Sequence, residues 1–134
     1  MSMRDPRPQA ARRARVLLID DERALGDSMC IVLGDFHDVE YVARAREALQ
    51  RLERDRAFDV ILCDLMMGEM SGMEFYDRLR GMAPELAERV AFLTGGAFKA
   101  ASIAFLERVD RPRLEKPFDL STVLKTIAFI AERE

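Results

Sequence analysis

The sequence lacks the features that mark several large classes of protein. Basic and acidic side chains nearly balance, 21 against 24 in 134 residues, so the net charge of −3 creates no broad field that would attract nucleic acid or an anionic membrane. No stretch approaches the roughly 18 consecutive apolar residues of a membrane-spanning helix. We therefore predict a cytoplasmic protein with no nucleic-acid partner and no membrane segment.

Cysteine and histidine are scarce. Cys30 and Cys63 are the only cysteines, and each lies in an apolar run, so we predict buried thiols in a reducing compartment and no disulfide or metal framework. The single histidine, His37, lies in a loop before the second predicted strand, where a plain surface role is expected. A zinc site, which would need histidine or cysteine ligands, is not predicted.

The first 14 residues, MSMRDPRPQAARRA, are rich in arginine and proline and offer too little apolar surface to join a core. We predict a flexible extension over residues 1–14 and one domain over residues 15–134. Arg12 and Arg13 precede an apolar stretch, but Val16–Ile19 is too short for an export signal.

From Arg15 onward, short apolar runs alternate with longer segments of helical periodicity, the pattern of strands and helices around a parallel sheet. The predicted strands are Val16–Ile19, Val39–Val42, Phe58–Cys63, Val90–Leu93 and a short one near Arg113–Glu115. Five helices are predicted. The first buries Leu25, Met29, Val32 and Leu33, the second spans Ala45–Asp55, and the third begins after a Ser71 cap. The fourth spans Ala97–Arg108, and the fifth begins after an Asp119 cap and buries Leu120, Val123, Leu124, Ile127 and Ala131. Five strands and five helices predict a single-domain α/β fold with a doubly wound (βα)5 parallel sheet.

Polar side chains follow four of the predicted strands. Asp20 and Asp21 follow the first, Asp64 the third, Thr94 the fourth and Lys116 the fifth. Taken singly, each is more ordinarily a helix cap, a turn residue or a surface charge. Because the carboxyl ends of parallel strands meet at one edge, we expect them to lie close together.

Carboxylates gathered at one edge repel each other, by about 4 kcal/mol for two charges ~4 Å apart at an effective dielectric near 20, so they require a neutralising ion. Oxygen ligands with positions left for water or phosphate suit Mg²⁺ better than zinc. Mg²⁺ beside an aspartate, a hydroxyl and a lysine is a phosphoryl-transfer environment in which a carboxylate can be the nucleophile.

Four motifs make the chain resemble the receiver domain of two-component response regulators. In order they are LLIDDE (Leu17–Glu22), CDLMMGEMSG (Cys63–Gly72), FLTGG (Phe92–Gly96) and EKPF (Glu115–Phe118). The resemblance covers Arg15 to about Glu132 and implies a flavodoxin-like strand order of 2-1-3-4-5. FLTGGAF and PRLEKPF are also similar to receivers attached to hybrid histidine kinases.

The resemblance implies that Asp64 accepts a phosphoryl group from a histidine kinase or a histidine phosphotransfer protein. It implies that Asp21 and Asp64 bind Mg²⁺ directly, Asp20 through water, and Met66 through its carbonyl oxygen. Thr94 and Lys116 would contact the new phosphoryl oxygens. The domain would catalyse its own phosphorylation and dephosphorylation and would not turn over a separate substrate.

Phosphorylation would then shift a partner surface on the fourth helix, fifth strand and fifth helix, which could also form a homodimer. Apolar residues on the fourth helix, Phe98, Ile103, Phe105 and Leu106, suit such a surface, although core packing explains most of them. Two positions depart from the family pattern. Gly68 replaces a usual proline, which predicts a looser loop, and Arg113 replaces a usual aromatic residue of the switch.

Two other functions remain open. A receiver-like interaction module that is never phosphorylated is consistent with Gly68 and Arg113. A Mg²⁺-dependent phosphatase would need a carboxylate two residues after the nucleophile, where the chain has Met66.

Overall fold

The computed structural model describes residues 13–95 and 100–132. Its strands are β1 (Arg15–Ile19), β2 (Asp38–Val42), β3 (Val60–Asp64), β4 (Val90–Thr94) and β5 (Arg113–Glu115). Its helices are α1 (Arg23–Leu33), α2 (Ala45–Arg54), α3 (Gly72–Met82), α4 (Pro84–Ala87), α5 (Ala100–Arg108) and α6 (Leu120–Ala131). No helix within these residues has the length and apolarity that a membrane crossing requires.

All five strands are parallel and lie in the order β2-β1-β3-β4-β5, so the predicted doubly wound α/β sheet is confirmed. The central strand β3 is buried along its whole length, and its first four residues are apolar. The edge strand β2 is only partly buried, which agrees with its alternating sequence. This topology brings the ends of β1, β3, β4 and β5 to one edge.

Alternate residues of each central strand enter two separate hydrophobic cores. Leu17 and Ile61 face the core beneath α2, α3 and α5, whereas Val16 and Leu62 face the core beneath α1 and α6. Helices on both faces therefore hold the sheet rigid, and residues at the strand ends inherit that rigidity.

Helix starts follow the predicted capping residues. The Ser71 hydroxyl accepts a hydrogen bond from the Glu74 backbone N–H at 3.1 Å, and the Asp119 carboxylate accepts one from the Thr122 N–H at 2.8 Å. Both caps satisfy amide groups that a helix start leaves free.

Several details of the prediction were wrong. Residues Pro84–Ala87 form an additional helix, because proline fits the first helical turn, so the described residues contain six helices rather than five. Val32 and Leu120 are exposed, 44% and 38%, because the cores are closed by neighbouring residues of the same helices. The third strand runs two residues later at its start than predicted and includes Asp64. Phe98 and the start of the predicted fourth helix lie outside the described residues.

On α5 itself, the described apolar residues divide between core and surface. Phe105 is buried and Leu106 half-buried, while Ile103 is 46% exposed. Of the two cysteines, Cys63 is buried and Cys30 half-buried, and both are free thiols.

His37 is buried, so the predicted surface role was wrong. Its Nδ1 accepts a hydrogen bond from the Ala14 backbone N–H at 3.1 Å, and its carbonyl oxygen accepts one from Arg13 at 3.0 Å. Arg13 also pairs with Asp38 at 3.1 Å. Arg13 and Ala14 fall in the predicted extension, yet both contact the loop before β2. Composition does not reveal this long-range packing.

Lowering the pH should destabilise the fold through His37. Burial, and to a lesser extent Arg13, lower the pKa of His37 in the folded protein despite opposing contributions from Asp38 and Asp59. As the pH falls, the unfolded chain, whose histidine has a pKa of ~6.5, therefore takes up the proton first. The stabilisation by neutral His37 is complete above that pH and decreases below it. Chemical denaturation at several pH values should show that the free energy of unfolding falls less between about pH 7 and 5 in His37→Asn than in wild type. An equal loss in both proteins would contradict this assignment.

Candidate active site at the carboxyl edge of the sheet

Asp64 is the last residue of the buried strand β3, and its carboxylate is held on both sides. The side chain is only 6% exposed. Its Oδ1 accepts a hydrogen bond from the Met66 backbone N–H at 3.2 Å, and its Oδ2 lies 3.4 Å from the Nζ of Lys116. Because the strand is rigid and both oxygens have partners, the position of this carboxylate is well defined.

Asp20 follows β1 and is completely buried. Its Oδ1 accepts a hydrogen bond from the Glu22 N–H at 2.9 Å, and the Tyr41 hydroxyl donates to its carbonyl oxygen at 2.6 Å. Its Oδ2 lies 3.1 Å from the Lys116 Nζ as an ion pair, but no described residue donates a well-directed hydrogen bond to it. One buried carboxylate oxygen at this edge therefore still has room for a further partner.

Asp21, the next residue, is exposed, and its Oδ2 accepts a hydrogen bond from the Gly68 backbone N–H at 3.1 Å. A proline at position 68 could not make this bond, because it has no N–H. Gly68, which was expected to loosen the loop after β3, therefore connects that loop to Asp21. A β-carbon at Gly68 would meet no atom within 4 Å, so the loop has open space on this side.

Oxygen atoms of Asp20, Asp21 and Asp64 all lie within 4.8 Å of one another. At that distance and an effective dielectric near 20, two ionised carboxylates repel by roughly 3 kcal/mol. Hard oxygen ligands, the free capacity of Asp20 Oδ2 and the exposure of Asp21 to solvent fit a hydrated divalent cation such as Mg²⁺.

Lys116, directly after β5, is the cation that lies against this cluster. Besides Asp20 and Asp64, its Nζ lies 3.8 Å from a carboxylate oxygen of Glu22, and its backbone N–H donates to the Thr94 carbonyl oxygen at 2.8 Å. Burial alone would lower the pKa of Lys116, but Asp64 and Asp20 outweigh that effect and raise the pKa above its ordinary value. The ammonium group is therefore charged at neutral pH, and the bond to β4 places it at the edge.

The electrostatic environment also changes the acidity of Asp64. Burial raises its pKa from 3.8 to about 6, Asp20 adds to the rise, and Lys116 and the Met66 N–H oppose it. Without a further cation, the cluster therefore disfavours the ionised form that a nucleophilic carboxylate or a metal ligand requires.

Thr94 ends β4 and is buried, and its hydroxyl donates to the Leu114 carbonyl oxygen of β5 at 3.4 Å. In this arrangement the hydroxyl bonds the neighbouring strand, and no described hydrogen bond joins it to a carboxylate. Arg113 is exposed on β5.

Four residues of the site were not singled out from the sequence: Glu22, Tyr41, Gly68 as a donor, and Ser102, whose hydroxyl donates to the Met66 Sδ at 3.4 Å. The position of Glu22 inside LLIDDE was the one available signal. The others act through contacts between residues at least 21 positions apart.

Comparisons with known proteins agree with this geometry. Residues 16–128 match the family model described as the response regulator receiver domain. The chain is 30% identical over 120 residues to the response regulator MprA of Mycolicibacterium vanbaalenii, with 89% of this chain and 51% of that protein aligned. It therefore spans about half the length of this curated relative.

Solved structures give the same picture of the fold. The chemotaxis protein CheY4 of Vibrio cholerae is similar with a TM-score of 0.75 and 30% identity, over 89% of this chain and 99% of that one. A response regulator receiver domain protein of Clostridium thermocellum has a TM-score of 0.79 at 24% identity, over 90% of this chain and 95% of that one.

Proposed function

This chain belongs to the response regulator receiver domain family, and from that premise we propose that Asp64 accepts a phosphoryl group from a phospho-histidine donor in a Mg²⁺-dependent reaction. The observation that carries the proposal is the position of Lys116, whose Nζ lies 3.1 Å from Asp20 and 3.4 Å from Asp64 at an edge where three carboxylates meet. An acceptor, a compensating cation and an acidic ion site are thus adjacent.

In the proposed reaction, an oxygen of the Asp64 carboxylate forms a bond to phosphorus as the bond between phosphorus and the donor imidazole nitrogen breaks. The electron pair of that bond leaves with the imidazole. Lys116 lies beside Asp64 Oδ2 and would pair with the added phosphoryl oxygens, whose charge develops in the transition state. Thr94 would exchange its bond to Leu114 for one to the phosphoryl group.

The residues that would hold the ion are Asp21 and Asp64, Asp20 through water, and Met66 through its carbonyl oxygen. When bound, Mg²⁺ would supply charge neutralisation for the transferred phosphoryl oxygens. Asp20 retains unsatisfied capacity at its buried Oδ2, which supports its assignment to the ion site.

The donor in this proposal is a histidine kinase or a histidine phosphotransfer protein, and phosphorylation shifts a partner-binding surface. We assign that surface, and a homodimer contact, to α5, β5 and α6, where Ile103 and Phe129 are 46% and 72% exposed. We assign residues 15–134 to the receiver domain, with Arg13 and Ala14 packed against it. A cytoplasmic location fits the two free thiols.

Mass spectrometry after incubation with acetyl phosphate and Mg²⁺ tests the proposal. We expect wild type to gain one phosphoryl group, and Asp64→Asn to gain none. Asp77→Asn, which changes an exposed carboxylate on α3, is the matched control and should be modified like wild type.

A wild-type protein that stays unmodified would favour the interaction module that is not phosphorylated. Continuous release of phosphate from small phosphate esters would instead favour a phosphatase, although residue 66 is not a carboxylate.

A further inference from the structure

We propose that the contact between Met66 and Ser102 couples Asp64 to helix α5, with Ser102 acting as a positioning residue for the loop that follows β3. This coupling rests on the proposed function and gives the path by which a change at Asp64 reaches one helix of the proposed partner surface. It concerns two side chains that are 36 positions apart in the sequence.

Met66 makes one contact toward the acceptor and one toward the helix. Its backbone N–H donates to Asp64 Oδ1 at 3.2 Å, while its thioether sulfur accepts a hydrogen bond from the Ser102 hydroxyl at 3.4 Å. Modification of the Asp64 carboxylate changes the acceptor of the first bond. Any resulting movement of Met66 acts directly on its hydrogen bond with Ser102.

Ser102 is only 1% exposed, although serine is polar. Among the residues that the structure describes, the Met66 sulfur is the only hydrogen-bond partner of its hydroxyl. A thioether is a weak acceptor, yet a buried hydroxyl with no acceptor is unfavourable. Displacement of Met66 therefore favours a rearrangement of α5 that gives Ser102 another partner.

The rest of α5 is anchored separately. Phe105 is buried and makes edge-to-face contacts with Phe92 of β4 and Tyr76 of α3, with ring centroids 5.3 and 5.8 Å apart. Ser102 lies one turn closer to the helix start. The aromatic contacts fix the second half of α5, so the half that contains Ser102 is the part free to respond.

This path matters because position 113, where the family pattern places an aromatic switch residue, holds an exposed arginine. The Thr94 hydroxyl donates to the Leu114 carbonyl oxygen of β5, and no described hydrogen bond joins it to α5. Of the hydrogen bonds described, the one between Ser102 and Met66 is the one that ties a side chain of α5 to the loop after Asp64.

Hydrogen exchange of the amides of residues 100–108 tests the coupling. We would measure it in metal-free buffer and with Mg²⁺ plus beryllium fluoride, in which the BeF3 group stands in for a phosphoryl group. In wild type, the ligands should change exchange in the first half of α5 by about three- to tenfold, with little change at Phe105 and beyond. In Ser102→Ala and in Met66→Leu, that change should fall below about twofold.

Matched controls separate coupling from general destabilisation. Glu107→Gln alters an exposed side chain of the same helix, and Met67→Leu alters the neighbouring methionine of the same loop. Both should keep the wild-type response. A full response in Ser102→Ala, or no response in wild type that binds the ligands, would overturn the inference.

A double-mutant cycle in ligand-free protein keeps this test independent of phosphorylation. If the contact exists as described, Met66→Leu, Ser102→Ala and the double variant should accelerate exchange in the first half of α5 by similar factors, because each removes the same bond. Additive effects would overturn the inference even if Asp64 is phosphorylated. Non-additive effects in a protein that takes up no phosphoryl group would support the contact and reject only the proposed function.

Discussion

Replacing Asp64 with asparagine is expected to make the metal-free protein more stable above pH 6, although it removes half of an ion pair. Burial and Asp20 raise the pKa of Asp64 from 3.8 to about 6, so folding disfavours its ionised form. A shift of that size, in which the attraction to Lys116 is already included, corresponds to about 3 kcal/mol, and we expect a gain of about 1–3 kcal/mol.

The pH dependence gives the sign of this effect. Because the folded pKa is the higher one, the folded protein binds the proton more tightly, and wild-type stability falls as pH rises from about 4 to 6. The advantage of Asp64→Asn should therefore be complete above pH 6 and disappear toward pH 4. Urea denaturation of wild type, Asp64→Asn and Asp77→Asn would measure it, with Asp77→Asn expected within about 0.5 kcal/mol of wild type.

Addition of Mg²⁺ should abolish or reverse the stability advantage of Asp64→Asn. If the three carboxylates hold the ion, Mg²⁺ at 100 times its dissociation constant stabilises wild type by about 2.7 kcal/mol and stabilises Asp64→Asn far less. Equal stabilisation of both proteins would place the bound ion elsewhere. If Asp64→Asn were less stable than wild type in metal-free buffer at pH 7.5, Lys116 would already compensate the negative charge of the three carboxylates.

Gly72→Ala should destabilise the protein by about 3 kcal/mol or more and reduce phosphorylation of Asp64. A β-carbon at position 72 would overlap the Asp64 carbonyl oxygen and lie 2.8 Å from the Leu65 Cα, and both of these are backbone atoms. The Gly72 N–H also donates to the Leu65 carbonyl oxygen at 2.9 Å, so α3 begins directly against the end of β3. Relief of the overlap must therefore move the strand end that carries Asp64.

Gly81→Ala is the matched control, since it makes the same change in the same helix. A β-carbon there would meet no atom within 4 Å, so alanine should stabilise the helix by about 0.5–1 kcal/mol. Thermal unfolding and acetyl phosphate labelling of both variants would separate local overlap from helix propensity. Similar behaviour of the two variants would show that the start of α3 tolerates a side chain.

Local patterns predicted the elements because each reports on its own backbone. The apolar run before Asp64 indicated a buried strand, and the spacing of Ser71 and Glu74 indicated a helix start. Pro84 begins a further short helix, which the periodicity did not predict. Such boundary details depend on the packing of Leu86 and Ala87, which a local pattern does not contain.

The sequence by itself determined the sheet and the set of groups at its edge, because the periodicity of strands and helices is local and parallel strands bring their ends together. It could not show that His37 is buried, that Gly68 bonds Asp21, or that Ser102 reaches Met66. Those facts depend on distances between segments far apart in the chain, which only the packed tertiary structure fixes. The shared edge follows from topology, whereas the partner of each oxygen, nitrogen and sulfur there follows from packing.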